Sequence, residues 1–362
     1  MSKLPSKMKA IVATGFGDID SNVHLDDDFP TPTLPAKDDG KHMIIRVLAC
    51  ALAPGDVRVL SGKTDYMQMP ECGFPYVIGS DVSGIVVAVG PEETKFSPGD
   101  YVVSRFDEPK PNGGAAEYRL VKTCLSEKCP KSISPIMACG LPASAMAAKR
   151  IVQQCMKKGD KVLIIGGSGA VGTSCIQYAK LFGASSIVAV STQGELCKGL
   201  GADRVIDYRK EKWWQIKDFQ GKGNQFDIAF DFVNGDNWRK GARTGAAIKR
   251  KGKYVALMTG VDTEFEAHGV WDAVKLMCGI VFGNILLSRL HPMLPKWIGP
   301  EALRLEDGDL KALFSDVEEG RLKPIIEPSS PFEFTAGGAR DALRLQKSKH
   351  AHGKVVIQIA KE

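Results

Sequence analysis

Between residue 9 and about residue 133 the apolar positions come in short runs broken by Pro and Gly, at 43–52, 84–90, 100–104 and 117–121. Runs of that length between turn residues predict the strands of an irregular, mostly β domain. The texture changes near Leu141. Residues 142–155 are Ala-rich with helical apolar spacing, and KVLII at 161–165 is a short run of buried-strand type. Strand-like runs then recur at 186–190, 204–206, 227–232 and 253–258, separated by stretches long enough for helical crossovers. That alternation predicts a parallel sheet with helices on both faces. After about residue 288 a helix at 307–319, a run at 323–326, an amphipathic helix at 337–347 and a strand at 354–359 predict a return to the first domain. The expected architecture is α/β: residues 1–138 begin a mostly β domain, 139–288 form an inserted doubly wound domain, and 289–362 complete the first.

Composition supports two domains, because 362 residues at 44% hydrophobic content exceed what one compact domain usually holds. The 48 Lys and Arg against 42 Asp and Glu leave a charge of +6, spread along the chain without a basic block. Nucleic acid is therefore not the expected partner, and a small anionic ligand suits the excess at least as well. Nine cysteines lie singly with no C-x-x-C pair, which predicts free thiols in a reducing, cytoplasmic setting. The first ten residues lack the apolar core of an export signal. The one long apolar stretch, 270–290, is interrupted by Asp272, Lys275, Asn284 and Arg289, leaving no run long enough for a membrane span.

The candidate chemistry starts at Gly167-Ser168-Gly169-Ala170-Val171-Gly172, a G-x-G-x-x-G placed between the KVLII strand and a helical stretch at 171–182. Such a turn needs Gly167 to bend, Gly169 to admit a pyrophosphate against the backbone, and Gly172 to let helix pack on strand. The helix start then offers unpaired N–H groups to phosphate. The next strand ends in Val190-Ser191-Thr192, without the carboxylate that grips the 2′-hydroxyl of NAD. With hydroxyls there and Lys198 nearby, NADPH is the expected cofactor. Ser191 and Thr192 are equally readable as a helix cap, and Lys198 as a solvated side chain.

Further residues carry a resemblance: Ala53-Pro54-Gly55-Asp56 with Ser61-Gly62, Gly79-Ser80-Asp81-Val82-Ser83-Gly84, Val89-Gly90 before Pro98-Gly99-Asp100, Gly113-Gly114-Ala115-Ala116-Glu117-Tyr118, the glycine turn, Leu200-Gly201-Ala202-Asp203-Arg204-Val205-Ile206-Asp207-Tyr208, and Gly353-Lys354-Val355-Val356. In that order they resemble, over nearly the whole chain, the quinone oxidoreductase (ζ-crystallin-like) branch of the medium-chain dehydrogenase/reductase superfamily. The resemblance implies a GroES-like catalytic domain made of both chain ends, with an inserted Rossmann domain holding NADPH. It also implies that Tyr208 lies against the adenosine end, Ser191 near the 2′-phosphate, and Asn234, Gly235, Thr259 and Gly260 along the cofactor. Tyr208 is readable instead as a tyrosine that packs after a strand. Where zinc-dependent relatives carry Cys and His-Glu this chain has Ala53 and Ser80-Asp81, with Leu141 near the third ligand position and Cys139 beside it, so a metal-free site is implied.

Hydride transfer from NADPH to a quinone or α,β-unsaturated carbonyl is then the expected reaction, with Asp56, Arg58, Tyr66, Tyr76 and Leu141 as candidates for the acceptor pocket. Arg58 either stabilises charge on an acceptor oxygen or faces solvent. Departures from the branch at Ala53 and Arg58 leave the catalytic residue unassigned, and six histidines offer no clear catalyst. They also keep open a second function, a low-turnover NADPH-binding structural or RNA-binding protein. The apolar region 265–298 is expected either to join subunits as a homodimer or homotetramer, or to form a buried crossover helix with a substrate lid.

Overall fold

A computed structural model describes residues 4–35, 41–62, 73–106, 113–221, 223–234, 236–243, 246–257, 270–291, 294–299 and 308–361. The chain divides into two units, one of Met1–Ala143, Asp307–Gly320 and Pro324–Glu362, the other of Ser144–Glu306 and Arg321–Lys323. The first unit begins with β1 (Lys7–Ala13), β2 (Val23–Pro30), β3 (His42–Ala51), β4 (Tyr76–Val77), β5 (Val82–Val89), β6 (Tyr101–Ser104), β7 (Tyr118–Lys122) and β8 (Ser126–Lys128). The second unit carries β9 (Lys161–Ile165), β10 (Ser186–Val190), β11 (Arg204–Ile206), β12 (Phe226–Asp231), β13 (Ile248–Ala256) and β14 (Lys296–Ile298). The chain then returns to the first unit through β15 (Phe332–Glu333) and β16 (Val356–Gln358).

In the first unit, β1 lies between β2 and β4, and a seven-stranded sheet runs β15-β16-β3-β5-β6-β8 with β7 also paired to β3. The central β3 reads HMIIRVLACA with little polar alternation, because both of its faces are covered. One face joins a core that includes Met43, Ile45, Val47 and Tyr76. From the other, Ala49 and Ala51 meet Cys139 and Val356.

In the second unit every neighbouring pair is parallel and the order is β11-β10-β9-β12-β13-β14. This is the doubly wound Rossmann arrangement, and the strand order reverses between β9 and β12, where such sheets bind ligands beyond the strands' carboxyl ends. Val162, Leu163, Ile164 and Ile165 of β9 are all buried, which is why KVLII reads as a continuous apolar run.

The structure moves several sequence-derived boundaries. The second unit extends past residue 288 to take in β14, a three-residue edge strand hidden between Pro295 and Pro300. β13 starts at Ile248 rather than residue 253, since the polar stretch Lys249-Arg250-Lys251-Gly252 loops out where the register shifts opposite Phe226 and Ile228. Residues 323–326 form no strand, only a bridge from Ile326 to Lys354. The segment through Val270–Ile280 and on to Leu290 is helical, and it is not a buried crossover at Trp271, Phe282 and Leu290, which are 78%, 62% and 72% exposed. Among the described residues no helix is long and apolar enough to cross a membrane.

Candidate dinucleotide site

The turn after β9 is built by four glycines with separate tasks. Gly166, not Gly167, takes the left-handed conformation (φ 85°) that reverses the chain. The N–H groups of Gly166 and Gly167 both donate to the Val190 carbonyl, at 3.0 and 3.1 Å, tying the turn to β10. A Cβ on Gly167 would come within 2.9 Å of the Ala189 side chain, so its glycine is a packing requirement. A Cβ on Gly172 would lie 2.1 Å from the Gly166 carbonyl oxygen, so only glycine lets the helix Ala170–Leu181 start against the strand. Gly169 differs, since its Cβ would meet nothing nearer than 3.5 Å. That residue is the N-cap of the helix and no side chain caps it. The helix start beside Ala170 and Val171 therefore presents N–H groups to open space, a cradle with the geometry and partial charge for phosphate. Ser168 is nearly buried within the turn.

At the end of β10 the absence of a carboxylate is accompanied by a side-chain turn ahead of the helix Gly194–Leu200, which itself starts without a side-chain cap. Ser191 is buried, its N–H donates to the Ile206 carbonyl at 3.0 Å, and its hydroxyl accepts the Gln193 N–H at 3.0 Å. Thr192 is half-buried. Lys198 is exposed and lies 3.7 Å from Glu195 in a surface ion pair. After β11, Tyr208 is 41% exposed. Beside it Arg209, which sequence reasoning passed over, grips Asp207 through two hydrogen bonds of 3.0 and 2.8 Å. Those bonds hold the Asp207 carboxyl at a pKa of about 2.

The loop after β12 is fixed by residues that no local sequence signal marks. Asp231, buried at the strand end, accepts the N–H groups of Val233 and Asn234 through Oδ1, both at 2.9 Å, and the Tyr254 hydroxyl through Oδ2. Burial, with Asp231 alongside, holds the Tyr254 phenol well above its ordinary range. Asn234 has φ 70°, and its carbonyl accepts Asn237 Nδ2 at 2.6 Å. Thr259 and Gly260, with Gly235, lie outside the described residues.

The acceptor-pocket candidates fare differently. Asp56 is fully buried, with Oδ2 accepting the Ala53 N–H at 2.7 Å and Oδ1 accepting the Gly79 N–H at 3.0 Å and the Tyr76 hydroxyl at 3.4 Å. Asp56 and Tyr76, both offered as pocket candidates, are thus brought together in an internal brace that pins the start of the helix Pro54–Ser61. Leu141 is likewise core, while Arg58 is half-buried on the same helix. Tyr66 lies outside the described residues.

The residues at the positions implied for zinc do not fit the metal. Asp81 Oδ1 accepts the Phe106 N–H at 3.1 Å, and Oδ2 accepts the Ala143 N–H at 2.9 Å and faces Lys354 Nζ at 3.9 Å. Both of its oxygens already accept a backbone N–H, and its charge faces an ammonium. Burial pushes the Cys139 thiol well above its ordinary value, and its Sγ donates to the Ile136 carbonyl. Among the described residues no three His, Cys, Asp or Glu side chains are grouped to hold an ion.

Residues 39–149 match the alcohol dehydrogenase GroES-like domain and residues 200–357 the zinc-binding dehydrogenase family. The chain is similar to the 2-methylene-furan-3-one reductase of Solanum lycopersicum, 32% identical over 98% of this chain and 80% of that one. It is similar to the same degree, 32% over 98% and 81%, to the chloroplastic NADPH-dependent alkenal/one oxidoreductase of Arabidopsis thaliana. Its fold resembles that of the quinone oxidoreductase from Coxiella burnetii with a TM-score of 0.79 at 25% identity, over 98% of this chain and 99% of that one.

Proposed function

This chain belongs to the medium-chain dehydrogenase/reductase superfamily of oxidoreductases, and on that premise we propose that it is an NADPH-dependent reductase of quinones or α,β-unsaturated carbonyls that works without zinc. The observation that carries the reading is the uncapped helix start behind Gly169, at the point where the order of the parallel sheet reverses. Ser191 in place of a carboxylate after β10 supports NADPH over NADH, since a fixed negative charge there would repel a 2′-phosphate. The name of the Arabidopsis relative, an NADPH-dependent alkenal/one oxidoreductase, points the same way.

When bound, NADPH supplies a hydride to an acceptor that is already electrophilic, and the reduced acceptor takes its proton from solvent. The chain's part is to hold phosphate on the N–H groups of the turn and to fix the cofactor against the sheet edge. The committed donor set around Asp81 supports a reaction without a Lewis acid. The free thiols of the described cysteines suit a reducing compartment such as the cytoplasm. The exposed face of Trp271, Phe282, Leu286 and Leu290 suits contact with a second copy, as a homodimer or homotetramer. Sedimentation as a monomer at micromolar concentration would remove that assembly.

The deciding experiment is calorimetry with NADPH and NADH, followed by NADPH oxidation with a simple quinone and a simple enone before and after chelator treatment. Tighter binding of NADPH and chelator-insensitive turnover are expected. No heat with either nucleotide removes the whole reading. Binding without turnover on any acceptor leaves a dinucleotide-binding protein in its place.

A further inference from the structure

We propose that Asp231 and Tyr254 are positioning residues that hold the loop after β12 as a preset support for the nicotinamide half of the cofactor. The proposal rests on the reading that the chain binds NADPH. A doubly wound sheet takes one mononucleotide on each side of its switch point. The turn after β9 serves the pyrophosphate and β10–β11 the adenosine side, so the loop leaving β12 falls on the nicotinamide side.

Both peptide groups that determine this loop's shape are tied down by the protein itself. The Asn234 N–H is held by Asp231 at 2.9 Å and its carbonyl by Asn237 at 2.6 Å, and Asn237 Oδ1 in turn accepts the Trp213 indole N–H at 3.0 Å. These bonds fix in the left-handed region an asparagine, the non-glycine residue that enters it most readily. Tyr254 completes the device. Its hydroxyl donates to the second oxygen of Asp231, and its ring packs on Trp238 with centroids 5.1 Å apart.

The result is a shelf. Val233, 47% exposed, stands over the bend of the turn, close enough that a Cβ on Gly166 would lie 2.8 Å from its Cγ2. A rigid apolar shelf beside the phosphate cradle lets a planar ring and its ribose settle without first ordering a loop, the saving that preorganisation provides. A carboxylate buried to 1% exposure is costly to keep in a strand that could have ended in an apolar residue. The N–H groups of Val233 and Asn234 that it accepts belong to this loop, and the Tyr254 hydroxyl to the strand beside it.

The test is Tyr254→Phe, which keeps the ring on Trp238, with Asp231→Asn as a second variant of the same shape. NADPH and 2′,5′-ADP, which lacks the nicotinamide half, are titrated by calorimetry. For each variant the NADPH Kd is expected to rise about tenfold while that of 2′,5′-ADP stays within about twofold. Equal weakening for both ligands would reduce the pair to general support of the fold and overturn the proposal, as would unchanged NADPH binding in both variants. If the unaltered protein binds neither ligand, the cofactor reading fails instead, so the two failures are told apart.

Discussion

The carboxyl edge of the parallel sheet and the polar interior of the first unit are built from comparable residues and have opposite economies. Inside the first unit, Asp56 and Asp81 together accept four backbone N–H groups, and Ser80 and Ser83 donate to the carbonyls of Ala51 and Pro135 at 2.9 and 2.7 Å. Arg119 donates to the Ser80 carbonyl, leaving only its Nε without a partner among these groups. Burial there pushes the Cys50 thiol up to about 12 despite Arg119 nearby. At the sheet edge Ser191 and Asp231 are likewise satisfied, Ser191 by the Gln193 N–H and Asp231 by the loop it holds. What is left open is backbone, at the uncapped helix start behind Gly169. The difference teaches where to look for function. Polar side chains that satisfy one another serve the fold however suggestive they look, and a ligand finds its hold on a donor set left without a protein partner.

The largest effect that can break this comparison is a split between two glycines three residues apart. Gly169 has room for a side chain and an extended backbone (φ −72°, ψ 169°), so Gly169→Asp should fold. The new carboxylate should even cap the helix for a few tenths of a kcal/mol. It would also occupy the phosphate position with like charge, and NADPH affinity is expected to fall at least about a hundredfold, since like-charge juxtaposition costs several kcal/mol. Gly172→Ala reverses the pattern, because its Cβ would strike backbone at 2.1 Å. Overpacking of that kind costs about 3 kcal/mol of unfolding free energy, read from denaturant unfolding. A Gly169→Asp protein that bound NADPH as before would show that the open helix start is not the cradle.

How much of this was legible in sequence depends on how local each constraint is. The glycine turn is readable because strand, bend and helix start adjoin within a dozen residues, and even so the bend proved to belong to Gly166 while Gly167 answers to Ala189 on the next strand. Asp231 and Tyr254 were missed because each ends or begins an ordinary apolar run, and only the pairing of β12 with β13 joins them. The bracing role of Asp56 and Tyr76 was hidden in the sequence for the converse reason. Besides the Tyr76 hydroxyl, Asp56 accepts the main-chain N–H groups of Ala53 and Gly79, which sequence shows as nothing but alanine and glycine. The Lys198–Glu195 pair, three residues apart on one helix, is by contrast a local contact that spacing alone makes readable.

A smaller effect sharpens the comparison from the structural side. Lys354 and Asp81 are 4% and 0% exposed and 3.9 Å apart, and Asp81 keeps only two N–H donors if the ammonium is removed. Lys354→Met preserves much of the side chain's volume but leaves a buried carboxylate short of its counter-charge, which should destabilise the protein by about 3 kcal/mol in urea unfolding. Adding Asp81→Asn to that variant should return part of the loss, because the orphaned charge disappears with it. NADPH affinity should stay within about twofold throughout, since by this account the pair has no role in the cradle. A single variant that lost under about 1 kcal/mol would mean the pair is better hydrated than its burial indicates, and the contrast between a satisfied interior and an open edge would weaken accordingly.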